Sequence, residues 1–124
     1  MTKHGKRLLP AALAALVLTG CAMPAPDSTT TRYKVAIVAK NDRESEFWDA
    51  VFTGAEAAAT EYNMQLTVSA PNNEENYEVQ NRLIAKAVED GAQAIVFSAI
   101  DYEENAAAID AAAAAGVTIV GIDS

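Results

Sequence analysis

The stretch Lys34-Val35-Ala36-Ile37-Val38-Ala39-Lys40 places an unbroken apolar run between two lysines. A strand with one wet face alternates apolar and polar residues, so an uninterrupted run fits a parallel strand buried on both faces. Parallel strands need long crossover connections, usually helical. The chain supplies them: strand-like and helix-like segments alternate from Tyr33 onward, the pattern of an α/β fold.

Downstream, the segment from about Glu46 to Tyr62 has helical period, with Phe47, Val51, Ala55, Ala58 and Tyr62 on one stripe and Trp48, Phe52 and Ala59 beside it. Ser45 stands where an N-cap is expected. Gln65 to Ala70 alternates, with Leu66, Val68 and Ala70 on one side and Gln65, Thr67 and Ser69 on the other, which predicts an edge strand. A second helix over Tyr77 to Asp90 turns Val79, Leu83 and Ala87 inward, with Ile84 and Val88 alongside, and Gly91 stops it. Ala94 to Ala99 is again continuously apolar through Ile95, Val96 and Phe97. Asp101 and Glu104 have capping-box spacing for a third helix that runs to Ala115 and ends at Gly116, before a fourth strand over Val117 to Asp123.

With right-handed crossovers, this β-α-β-α-β-α-β series predicts a three-layer parallel sheet of spatial order 2-1-3-4. Strand four reads as an interior strand, yet that order leaves it at an edge. One face also receives a single helix and the other two. These features predict a fragment of a longer chain, either a truncated gene product or a partial sequence.

Composition excludes several classes of function. The 124 residues carry 17 acidic against 9 basic side chains, a net charge of −8, which disfavours nucleic acid and anionic membrane surfaces as partners. Lys3, His4, Lys6 and Arg7 head a mostly Ala, Leu and Val run from Leu8 to Leu18, followed by small residues, the layout of a signal peptide over residues 1–20. The run is too short to be a permanent span, which needs ~20 apolar residues. The only histidine, His4, would leave with this leader, so neither a histidine-based hydrolase nor a His/Cys zinc site is expected. Asn72-Asn73-Glu74-Glu75-Asn76 lacks the glycine and spacing of a calcium loop. No metal, cofactor or enzymatic activity is therefore expected. An acidic phosphotransfer pocket built on Asp42, Asp101 and Asp123 is the enzyme alternative, and an exported chain would not meet its cytoplasmic phosphodonors.

Ala22 to Thr31 holds two prolines and no apolar period, so residues 21–32 read as a flexible tether before a domain over 33–124. The tetrapeptide Leu18-Thr19-Gly20-Cys21 contains the only cysteine. Leader and tetrapeptide together resemble bacterial lipoprotein precursors, which are cut before the cysteine. The resemblance implies several acyl chains on Cys21 and stable anchoring to the membrane, where a single chain would hold only marginally.

In an open parallel sheet the ligand crevice lies beyond the carboxyl ends of the strands, where the order reverses, here between strands one and three. The loop Lys40-Asn41-Asp42-Arg43-Glu44-Ser45 has no glycine, which excludes a dinucleotide fingerprint or phosphate cradle. Carboxylates, amides, hydroxyls and the neighbouring rings of Phe47 and Trp48 suit a sugar, with its polar edge and apolar ring faces.

Four segments carry a family resemblance: Lys34 to Lys40, Ser45 to Glu56, Asp90 to Ser98 and Ala115 to Ser124. Together they look like the sugar-type periplasmic binding proteins of type 1 fold, and specifically like the opening part of their first lobe. The resemblance implies a solute-binding component of an ABC importer, with a sugar as ligand and an ABC permease as partner. It also implies an exported, lipid-anchored protein in the cell envelope. A sensory module for a membrane receptor and a remnant without binding activity are the alternatives.

By matching motif positions, the resemblance implies that Phe47 and Trp48 flank the ligand. It places polar contacts at Lys40 and Ser98, makes Asp123 the carboxylate that binds sugar hydroxyls, and sets Ser124 where many sugar binders have arginine. Glu46 stands where the family commonly has proline. Asp101 is a further candidate contact. The residues also admit plainer readings: Phe47 as core packing, Lys40 as a solvated strand end, Asp101 and Asp123 as helix caps.

Overall fold

The computed structural model describes residues 31–123. The leader, Cys21, most of the tether and Ser124 lie outside the described residues. The elements are β1 (Lys34–Val38), α1 (Glu46–Glu61), β2 (Gln65–Ser69), α2 (Tyr77–Glu89), β3 (Ala94–Phe97), α3 (Tyr102–Ala114) and β4 (Thr118–Gly121). All pairings are parallel and the sheet order is β2-β1-β3-β4, as the sequence predicts. The strands are shorter than their apolar runs, but pairing continues past them: Ala39 N–H donates to Ser69 O at 3.0 Å and Ile122 N–H to Phe97 O at 2.9 Å.

Strand β1 is the centre of two cores. Ala36 and Val38 pack with Ile84, Ala87, Ile95, Phe97, Ala112 and Val117 under α2 and α3. Ile37 and Ala39 pack with Trp48 and Phe52 under α1, where Leu66, Val68 and Ala70 of the alternating segment join them. Gly91 and Gly116 adopt φ of 83° and 88° just after α2 and α3. In that left-handed region a Cβ is strained, so glycine lets each helix turn back into a strand.

The faces of α1 differ from the sequence reading. The buried residues are Trp48, Phe52 and Ala59, whereas Phe47 is 56% and Tyr62 69% exposed. The two candidate stripes lie one residue, about 100°, apart on the helix. The rotation chosen puts the larger indole and the Phe52 ring against the sheet, which removes the most apolar area from water.

Helix α2 departs in one position. Ile84 and Ala87 are buried as part of the inward face, but the first inward residue is Gln80, fully buried, while Val79 is only half-buried. At α3, Asp101 Oδ1 accepts from the N–H groups of Glu103 and Glu104 at 2.9 and 3.0 Å. The return bond of the expected capping box comes from Asn105 rather than Glu104: Asn105 Oδ1 accepts from Asp101 N–H at 3.1 Å. Asn105 is buried and its Nδ2 donates to Asn81 Oδ1 at 2.7 Å, so one amide closes the cap and ties α3 to α2. Ser45 takes the N-cap position of α1 without a side-chain bond.

The uneven covering expected from the topology is present. On the α1 side Val96 pairs in register with Val120, and Val120 is 44% exposed. Among the described residues no helix is long and apolar enough to cross a membrane.

Candidate functional site

Parallel pairing brings all four strand ends to one edge of the sheet. Lys40 follows β1, Ser98 follows β3, and Asp123 follows β4. Lys40 Nζ lies 3.0 Å from Asp123 Oδ2, so an ion pair reaches from the end of β1 to the end of β4 across β3. The hydrogen bond to Asp123 holds the Lys40 ammonium above its usual pKa, and the Asp123 charge adds to this against opposing desolvation; Glu74 contributes further negative charge. Lys40 is therefore cationic across the neutral range. Asp123 adopts φ of 46°, a left-handed conformation uncommon for a residue other than glycine.

Ser98 sits between these charges in the strand order and is 1% exposed. Its hydroxyl is the one buried side-chain polar atom without a hydrogen-bond partner among the described residues. Buried hydroxyls are nearly always paired, so this one is left free to bond a ligand or a water.

Phe47 and Trp48 have separate roles. Trp48 is 2% exposed and packs against Phe52, with ring centroids 5.8 Å apart. Phe47 presents its ring to solvent at the start of α1 and meets Trp48 edge-on, 5.2 Å between centroids at 89°. One exposed aromatic ring thus rests edge-on against a buried one. Asp101 uses Oδ1 to cap α3, as the plainer reading held, and is exposed beside the mouth.

The charged β1–α1 loop is also accounted for. Arg43 turns onto α1, pairing with Asp49 at 3.1 Å and with Glu56, its guanidinium 5.2 Å from the Phe52 ring centroid. Its charge is spent fixing the loop. Two cavities, of about 430 and 660 Å³, flank β2; the larger reaches Asp42, Arg43 and Glu44 after β1 and Ser69 and Ala70 at the end of β2, but Lys40, Ser98 and Asp123 line neither. A single sheet edge is one wall, which encloses no volume by itself, so the strand-end chemistry locates the site better than concavity does.

Sequence reasoning missed one residue here. Gln80 Nε2 donates to Ala39 O at 3.0 Å and to Ser98 O at 2.8 Å, and its Oε1 accepts from Ile100 N–H at 3.0 Å. The available signal was a polar residue four positions before Ile84, on the inward stripe of α2.

The arrangement offers a carboxylate, an ammonium, an unpaired hydroxyl and an aromatic face. Among the described residues it pairs no nucleophile with a base, and it suits a molecule with hydroxyls on its edge and an apolar face.

Comparison with known proteins agrees with this fold. The family described as periplasmic binding protein domain matches residues 35–124. A sugar transporter from Clostridium phytofermentans superposes with a TM-score of 0.72 at 37% identity, covering 75% of this chain and 35% of that one. A carbohydrate transporter from Acidothermus cellulolyticus, in complex with myo-inositol, gives 0.67 at 27% identity, with 75% and 32% covered. LsrB from Clostridium saccharobutylicum, in complex with AI-2, gives 0.68 at 27% identity, with 73% and 27% covered. The chain thus spans about a third of the length of these solved relatives. No curated protein matches it in sequence. The parallel sheet of order 2-1-3-4 and the match over residues 35–124 make this chain a member of the periplasmic binding protein domain family, with the type 1 fold.

Proposed function

We propose that the chain forms one wall of the solute cleft of an exported binding protein and that the solute is a carbohydrate or similar polyol. One observation carries this reading: the buried, unpartnered Ser98 hydroxyl lies at the strand-order reversal beside the Lys40–Asp123 pair. Asp123 would accept hydrogen bonds from two solute hydroxyls, Lys40 and Ser98 would donate, and Phe47 would cover an apolar ring face. Asp101 and Ser124 would supply further polar contacts. Two relatives support the solute class: a sugar transporter, and a carbohydrate transporter solved with myo-inositol.

In this reading residues 1–20 direct export, Cys21 carries the lipid, and residues 21–32 tether the domain over 33–124 near an ABC permease. The family is one of solute-binding proteins, not an enzyme class, so the proposed work is capture and delivery. Calorimetric titration of the full-length protein, in which the rest of the cleft is present, with hexoses, pentoses and myo-inositol tests the solute class. Heat with at least one of them is the expected result. The relative solved with AI-2 motivates a second reading, a solute other than a carbohydrate, which heat with AI-2 alone would select.

A further inference from the structure

We infer that Gln80 is a positioning residue for the solute site, its side-chain amide setting the spacing between the carboxyl ends of β1 and β3. The inference rests on the site proposed above. Gln80 is fully buried on the face of α2 that also carries Ile84 and Ala87. An amide in that setting is costly unless its hydrogen-bonding groups are satisfied, and an apolar side chain would pack there without the cost. Three bonds satisfy it, and all three go to backbone at the mouth of the sheet.

The topology explains why a latch is needed at this point. After β1 the chain crosses to α1 on one face, and after β3 it crosses to α3 on the other. Ladder pairing between β1 and β3 runs out where Ser98 N–H reaches Val38 O at 3.3 Å. Beyond it the carbonyls of Ala39 and Ser98 share one partner, the Gln80 amide, whose two hydrogens reach one strand each. The amide oxygen holds Ile100, the residue before Asp101. Each atom that Gln80 grips therefore belongs to a candidate contact residue or immediately precedes one: Ala39 before Lys40, Ser98 itself, and Ile100 before Asp101. Lys40 in turn places Asp123.

The test needs no solute. NMR titration of the Lys40 side chain in the full chain reports the Lys40–Asp123 pair, and hydrogen exchange at Ile100 reports the latch. Gln80→Met keeps the volume and removes all three bonds; Ile84→Val, on the same face but without these bonds, is the control for lost packing. In Gln80→Met the Lys40 pKa is expected to fall toward the ordinary lysine value and Ile100 exchange to accelerate at least ~10-fold relative to other core amides. The control is expected to lose stability with Lys40 unmoved. A Gln80→Met chain that loses stability while Lys40 titrates as in the parent overturns the inference. Should that variant fail to fold, the parent decides: Gln80 side-chain amide protons that exchange as fast as those of exposed Gln93 contradict the latch, and slow exchange supports it. Absence of heat with any sugar would sink the carbohydrate reading and leave the Lys40 result standing.

Discussion

Lys40 Nζ and Asp123 Oδ2, 3.0 Å apart, join the ends of two strands that are not neighbours in the sheet. Because the folded-state pKa of Lys40 is raised, the pair stabilises the fold fully below the unfolded lysine value of ~10.4 and loses this contribution as pH rises through the folded value. With side chains 24% and 42% exposed, its worth is under about 1 kcal/mol. Urea unfolding of the parent and Lys40→Met is expected to show a gap that is constant from neutral to mildly alkaline pH and closes above the lysine range. A gap that persists there would show that the variant acts through packing alone.

The two adjacent aromatics of α1 should separate cleanly. Trp48→Ala removes a buried ring and is expected to cost about 3–5 kcal/mol. Phe47→Ala removes an exposed one and should change stability by no more than about 0.5 kcal/mol. Equal losses in urea would contradict the assignment of faces.

Asn105→Ala opens the α3 cap and the tie to Asn81 together. A cost of about 1–3 kcal/mol is expected from the buried partners left unpaired. Glu104→Ala should cost far less, since the return bond of the cap does not use it. Thermal melts of the two variants decide between Asn105 and Glu104 as the closing residue.

The sheet order was legible because continuous and alternating apolar runs distinguish central from edge strands. Val35 to Ala39 and Leu66 to Ala70 carried that distinction without help from tertiary structure. The face of α1 was less legible. Phe47 and Trp48 open two stripes of similar apolar content, and only the fit against Ile37 and Ala39 selects one. Gln80 and Asn105 escape a sequence reading for one shared reason: periodicity counts polar residues as outward, and a buried amide is recognisable only from partners distant in sequence. Lys40, Ser98 and Asp123 could be placed at one edge from topology alone, but their pairing and the orphaned hydroxyl could not.

The account's central claim is that Asp123 and Ser98 form part of a polyol-binding wall. Calorimetric titration of the full-length protein, in which the rest of the cleft is present, and of its Ser98→Ala and Asp123→Ala variants, with the sugar that gives most heat, tests it most directly. Loss of a charge-assisted hydrogen bond is worth about 1.5–3 kcal/mol, so Asp123→Ala is expected to weaken binding at least ~10-fold, and Ser98→Ala is expected to weaken it by less. Heat unchanged in both variants, or no heat from the parent with any sugar, would contradict the claim.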